Sequence, residues 1–289
     1  MTSRASTELQ PVPRIDHVMI MLDPVTYQDV ASNVFVDADF GRTKRKEADS
    51  SLAGKYGTLG IAGTHTLIEL FCSETPGSGP LVGGLVFSFE EPGSSPLARA
   101  KLDDGQVGYY HDLVRRAVPG QDDQQPWYHL ISVDLGEASP FLLFLNEVTP
   151  EYFATIGARP TAEGALSRQA YLDSVVGPVA GEPRLMQDIV GMTLTVGPER
   201  ARRITGALTA LGFTAAVDGA VHVLEGPGLT IRLDVGETEP ERVAEVEIAL
   251  TPGPRTGATP TELRFGETSR LVIDGDRARW TFRPVGVSA

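Results

Sequence analysis

Residues 189–235 read IVGMTLTVGPERARRITGALTALGFTAAVDGAVHVLEGPGLTIRLDV. Ile189–Val196 is a β-rich run that reads as a strand, and Gly197-Pro198-Glu199 opens a helix with proline at its first turn. Ala201, Ile204, Leu208 and Leu211 recur at helical spacing as one apolar face, and Gly212 ends the helix. Phe213–Val217, Ala220–Leu224 and Leu229–Val235 then form three short strands, separated by the turn signals Asp218-Gly219 and Gly226-Pro-Gly228. The order is β-α-β-β-β.

Working outward, the same order recurs. Near the start, Ile15–Leu22 is a strand with His17, Met19 and Met21 on one face and Val18, Ile20 and Leu22 on the other. Asp23-Pro24 supplies an N-cap and first turn for a helix to about Asn33. Strands follow at Arg42–Glu47, Tyr56–Ala62 and His65–Phe71, the last two joined by a turn at Ala62-Gly63-Thr64. A second unit has strands at Leu85–Glu90, Trp127–Asp134 and Pro140–Val148, with helix predicted within Leu97–Val118 and one strand unplaced. A last group, Glu245–Thr251, Glu262–Phe265, Arg270–Ile273 and Arg279–Phe282, carries a Pro/Gly/Thr-rich loop where its helix belongs. The predicted fold is α+β, built from four tandem βαβββ modules of which the last is degenerate. The Gly/Pro-rich stretch Gly177–Pro183 divides an N-terminal pair (15–180) from a C-terminal pair (184–289), after an arm over 1–14.

Composition narrows the function. Against 25 Lys and Arg stand 38 Asp and Glu, a net charge of −13, which disfavours nucleic acid and anionic membrane surfaces as partners. No apolar run reaches the roughly 20 residues of a membrane span. Met1–Gln10 lacks the hydrophobic region of an export signal, so a cytoplasmic location is expected. A single cysteine, Cys72, excludes intrachain disulfides and multi-cysteine metal sites. No phosphate-binding loop or nucleophile elbow is present. The glycines at 77, 79, 83 and 84 read as a linker, and Lys44-Arg45-Lys46 reads as a solvated patch on an edge strand.

Glu69 shares a strand face with Leu67 and Phe71, and an ionised carboxylate there needs a cation, an arginine or water. The module order resembles the vicinal oxygen chelate superfamily, which includes glyoxalase I, bleomycin- and fosfomycin-resistance proteins and extradiol dioxygenases. Ile15-Asp-His-Val-Met-Ile20, Thr66-Leu-Ile-Glu-Leu-Phe71, Ala210-Leu-Gly-Phe213 and Gly228-Leu-Thr-Ile-Arg-Leu233 carry the resemblance. It implies that paired modules curl into half-open barrels around a divalent ion (Zn, Ni, Mn, Co or Fe) held from first and fourth strands. The matching positions are His17 and Glu69, with Glu147 as the third ligand from the second module. The first strand of that module, Val86-Phe-Ser-Phe89, offers only Ser88, and His129 is the substitute on a neighbouring strand. His65 reads as turn-exposed and His111 as helix-surface. In the third module the ligand positions read Thr193 or Thr195 and Asp234, so the C-terminal pair is read as a scaffold.

The resemblance implies a metal-dependent enzyme acting on a small oxygen-chelating metabolite by isomerase, epimerase, lyase or cyclase chemistry. Glu147 would act as base and His129 as a further catalytic group. Two alternatives stand beside it: a non-haem iron oxygenase, and a metal-free small-molecule-binding protein whose cleft is lined by Phe87, Phe89, Trp127 and Phe144. Either a monomer or a homodimer is expected.

Overall fold

The computed structural model describes residues 11–51, 54–74, 81–117, 123–178, 184–237, 240–252 and 259–283. The first module runs β1 (Arg14–Leu22), α1 (Pro24–Ala31), β2 (Arg42–Ser50), β3 (Gly54–Ala62) and β4 (Leu67–Cys72), with one π turn at Val36–Phe40. Asp23 caps α1 as predicted, its carboxylate accepting the Thr26 N–H at 2.9 Å. The second module runs β5 (Gly83–Phe89), α2 (Ser94–Asp104), β6 (Tyr109–Arg116), β7 (Gln125–Val133) and β8 (Phe141–Val148). It is therefore a complete βαβββ unit. The missing strand is β6, which occupies the second half of the stretch predicted as helix and places His111 on a strand.

Within each module the crossover helix makes first and last strands parallel neighbours, β1 with β4 and β5 with β8. The modules join where β1 runs antiparallel to β5, giving the order β2-β3-β4-β1-β5-β8-β7-β6. This sheet curls until, among the described residues, β2 meets β6 at a single rung, Ser50 opposite Arg116. The result is a barrel fully laddered on one side and barely closed on the other. Gly83 and Gly84 belong to β5 rather than to a linker: a Cβ at Gly83 would stand 2.4 Å from the Met19 carbonyl oxygen, so only glycine admits this approach of β5 to β1. Residues 77 and 79 lie outside the described residues.

Two short helices, α3 (Pro150–Thr155) and α4 (Arg168–Val175), then cross the barrel mouth toward the C-terminal half. There β9 (Met186–Val196), α5 (Pro198–Ala210), β10 (Thr214–Asp218), β11 (Val221–Gly226) and β12 (Leu229–Val235) form the third module, and β9 and β12 are again parallel. The fourth has β13 (Arg242–Leu250), β14 (Glu262–Phe265), β15 (Ser269–Asp274) and β16 (Arg277–Phe282). Loss of its helix changes the parity of the chain: β14 starts at the end where β13 finishes, so β16 returns antiparallel to β13. The eight C-terminal strands form one open sheet, β10-β11-β12-β9-β13-β16-β15-β14.

The two halves share one hydrophobic core. Phe87 of β5 meets Phe213 edge-on at 5.7 Å, and Phe40 meets the fully buried Trp280 at 6.0 Å. Polar contacts fix the register between halves. The Thr64 N–H donates to the Gln187 carbonyl at 2.7 Å, the Ile189 N–H to Thr66 Oγ1 at 2.8 Å, and the His65 N–H to Asp188 at 2.7 Å. Among the described residues no helix is long and apolar enough to cross a membrane.

Candidate functional site

The barrel interior is a cavity of about 870 Å³. Alternation along β1 turns His17, Met19 and Met21 into it, and along β4 turns Leu67, Glu69 and Phe71 into it, as predicted. His17 and Glu69 meet: His17 Nε2 stands 3.3 Å from Glu69 Oε2. The β1–β5 register shifts between Ile15 and His17, and this irregularity brings Asp16 to the cavity beside His17. Asp16 Oδ1 lies 2.5 Å from His17 Nδ1 and 2.6 Å from Arg168 Nη2 at the start of α4. The other oxygen of Glu69 accepts from Thr58 Oγ1 at 2.9 Å and faces Lys46 Nζ at 3.7 Å. A line of polar side chains, Arg168–Asp16–His17–Glu69–Lys46, thus spans the chamber, with the two acids set between the imidazole and the two cations.

This line answers how a carboxylate survives inside an apolar strand. Burial pushes the Glu69 carboxyl up, but Lys46, His17 and the Thr58 hydrogen bond outweigh it and hold the group below its ordinary value. Burial likewise opposes ionisation of Asp16, and Arg168, His17 and Ser88 overcome it. Both acids are therefore firmly ionised. An ionised carboxylate only accepts, so the Asp16 contact assigns a proton to His17 Nδ1. Nε2 is left as the nitrogen that faces Glu69 and the chamber.

The remaining wall is aromatic and basic. Arg116 lies over Trp127, 4.7 Å from the ring centroid, and donates to Tyr152 OH at 2.9 Å. Lys46 Nζ lies 5.3 Å from the Trp127 centroid, and Arg168 lies over Tyr171 at 4.7 Å. Trp127 Nε1 donates to Tyr171 OH at 3.1 Å. Burial raises the phenols of Tyr128 and Tyr171, and burial with the Tyr171 neighbour pushes Tyr152 up to about 12, so all three stay protonated.

Several expected residues lie elsewhere. Along β8 it is Leu142, Phe144, Asn146 and Val148 that line the cavity, so Glu147 points out of it. Its two oxygens accept the backbone N–H groups of Gly93 at 2.7 Å and Ser95 at 2.6 Å, so Glu147 caps α2 and is neither metal ligand nor base. His129 is not in the chamber; its ring stacks on His111 with centroids 6.1 Å apart. Of the expected aromatic lining, Phe89, Trp127 and Phe144 face the cavity, whereas Phe87 faces the core between halves. Lys44 and Arg45 are exposed as expected of a patch on β2, but Lys46 leans over the chamber. His65 pairs with Asp188, and His222 lies 3.3 Å from Thr205 Oγ1; neither approaches the cavity.

The pseudo-two-fold relation of the N-terminal modules shows why the second module adds no ligand. Val86 stands opposite His17 in the β1–β5 ladder. Glu69 is level with Met19, two residues beyond His17, and its counterpart level with Ser88 is Asn146. A valine and an amide occupy the places where a second imidazole and carboxylate would complete a site, and the Asn146 amide oxygen is buried without a partner. The 3.3 Å between His17 and Glu69 suits two ligands at about 2.1 Å from one ion. The rest of the donor set does not follow. Among the described residues no three His, Cys, Asp or Glu side chains are placed to hold one ion, and Lys46 and Arg168 already neutralise the two acids. These residues do not make the three-ligand divalent centre that the resemblance implies.

A family model described as a family of unknown function, DUF5829, matches residues 15–282. The chain belongs to the DUF5829 family. No curated protein matches it in sequence. Solved structures similar to this DUF5829 chain include a hypothetical protein from Staphylococcus aureus, at 10% identity over 78% of this chain and 87% of that one, with a TM-score of 0.48. The Mn(II)-bound glyoxalase from Novosphingobium aromaticivorans is 10% identical over 82% of this chain and 65% of its own, with a TM-score of 0.45. Homoprotocatechuate 2,3-dioxygenase from Arthrobacter globiformis is 12% identical over 78% and 61%, with a TM-score of 0.42. The DUF5829 chain thus spans under two thirds of the length of the latter two. Its own paired βαβββ modules, described above, are those of the vicinal oxygen chelate fold.

Proposed function

We propose that the N-terminal barrel is the reaction chamber of an enzyme that moves a proton on a small molecule, with His17 as the acid–base group. One observation carries this reading: an imidazole anchored through Nδ1 on a buried carboxylate directs Nε2 into a large, partly apolar cavity beside a second carboxylate. Asp16 fixes the ring and its tautomer. Glu69, held ionised by Lys46 and Thr58, stabilises the imidazolium formed when Nε2 takes a proton. The phenols and Trp127 enclose the substrate and thin out water, which strengthens each of these interactions.

A second reading, binding without chemistry, is favoured by one feature. Both acids of the line already have cationic partners within the protein, Asp16 in Arg168 and Glu69 in Lys46. Solvent-deuterium exchange followed by NMR separates the two. With a set of neutral and anionic carbonyl compounds in D2O, the enzyme reading expects exchange at a carbon next to the carbonyl that is lost in His17→Gln. Binding without exchange, equal in wild type and His17→Gln, favours the second reading. Elemental analysis of protein purified without chelator adds a direct check: stoichiometric divalent metal that disappears in His17→Ala overturns the metal-independent mechanism.

A further inference from the structure

The chamber's charge is at odds with that of the protein. The chain carries −13, yet the cavity is lined by five cationic side chains (Lys44, Arg45, Lys46, Arg116, Arg168) against three acids (Asp16, Glu47, Glu69). Local potential, not net charge, decides what enters a cleft with low-dielectric walls. Two of the cations are paired with acids, Arg168 with Asp16 and Lys46 with Glu69, while Lys44 and Arg45 lie exposed at the rim and donate to the Val175 and Ala31 carbonyls. Arg116 is different. Among the described residues it has no carboxylate partner; its contacts are the Tyr152 hydroxyl and the ring faces of Trp127 and Tyr152.

An arginine placed this way is a receptor in waiting. Stacking on aromatic faces limits the motion of the guanidinium and so lowers the entropy lost when a ligand binds. Its planar fork matches a carboxylate, which it grips through two parallel hydrogen bonds. The cavity beyond is large, about 870 Å³, and Phe71, Tyr128 and Phe144 are among its apolar walls. We propose that the ligand of this barrel is a small organic carboxylate with an apolar body, and that Arg116 takes its acid group. Lys46 lies over the same indole and also borders Glu69, so the bound acid group stands one lysine away from the His17–Glu69 pair. The inference rests on the barrel being the ligand chamber and not on any chemistry at His17.

Isothermal titration with benzoate and its uncharged isostere benzamide tests it. Wild-type protein is expected to bind benzoate at least about tenfold more tightly than benzamide, a difference of about 1.4 kcal/mol, with the benzoate affinity falling as salt is raised. Arg116→Gln is expected to lose that preference. Arg116→Lys, which keeps the charge without the fork, is expected to fall between the two. His17→Gln is expected to keep the preference, so loss of exchange chemistry and loss of carboxylate recognition are read separately. Equal binding of the two probes by wild type, an unchanged preference in Arg116→Gln, or no saturable benzoate binding up to about 10 mM overturns the assignment. The wild-type comparison stands whether or not the Arg116 variants fold.

Discussion

Glu69 reaches His17 on a diagonal. In the parallel ladder Glu69 is level with Met19 and His17 with Leu67, yet Oε2 and Nε2 are 3.3 Å apart. The meeting depends on both side chains leaning along the strands, so side-chain length matters as much as charge. Glu69→Asp, one methylene shorter, is expected to keep the fold and lose the contact. The check is the NMR signal of the His17 ring, which should shift in this variant; an unchanged signal would remove Glu69 from the site.

Acid should unfold the barrel through the same residues. Asp16 and Glu69 titrate lower in the folded chain than in the unfolded one, so the stability they contribute is complete above the ordinary carboxylate range. That stability is lost as pH falls through the lowered values. Urea midpoints are expected to hold from pH 7 to about 5 and to drop below about pH 4. Glu69→Gln should start less stable and show a shallower drop. Asp16→Asn, which strands Arg168, should cost about 3 kcal/mol at pH 7. Parallel acid profiles for wild type and both variants would refute this.

Glu147 should matter for stability alone. Glu147→Ala removes two charge-assisted bonds from the first turn of α2 and is expected to cost about 1–3 kcal/mol. Benzoate affinity at equal folded fraction should not change. A changed affinity with unchanged melting would return Glu147 to the chamber.

His65 links pH to the contact between halves in the opposite sense. Its hydrogen bond to Asp188 raises its pKa, so its contribution is present below about pH 6.5 and is lost as pH rises through the raised value. The ring is about half exposed, which limits the effect to under about 1 kcal/mol. Relative to His65→Gln, wild type should lose stability between about pH 6 and 8. The backbone bonds of His65 and Thr66 to Asp188 persist throughout. A difference that grows with pH would contradict the assignment.

Gly63 should tolerate no side chain. A Cβ there would lie 2.1 Å from the Gln187 carbonyl oxygen, where the first module touches the C-terminal half. Gly63→Ala must shift backbone rather than a flexible side chain, and is expected to cost about 1–3 kcal/mol in thermal unfolding. An unaltered melting temperature would show that the halves meet more loosely than this contact requires.

Much of the architecture was legible because period-2 alternation and glycine turns mark the strands. The same alternation gave the strand faces of His17 and Glu69, whereas the expectation that they meet came from the family resemblance. Asp16 was not legible: alternation puts it on the opposite face from His17, and only the irregularity between Ile15 and His17 brings both to the cavity. In β8 both faces are apolar, so the pattern could not tell Asn146 from Glu147 as the inward residue, and a one-residue error exchanges the faces. The strand β6 was missed because Tyr109–Arg116 is polar on one face and charged at its end, which suits a surface helix as well. Arg168 and Arg116 carry no local signal. Their roles come from contacts 152 residues away with Asp16 and 36 residues away with Tyr152, which no short window contains.

The single rung at Ser50 and Arg116 gives the chamber a seam. Apart from that pairing, β2 and β6 are stitched by the Ser51 N–H to Arg115, the Ala117 N–H to Asp49, and the Arg115 N–H to Ser51 Oγ, at 3.3, 3.4 and 3.1 Å. Among the described residues, parting them breaks only these few long hydrogen bonds, while the β1–β5 ladder opposite keeps the rest of the wall intact. The seam is the least-bonded length of the chamber wall, and the residue that fastens it with its backbone is the same arginine whose side chain lies over Trp127.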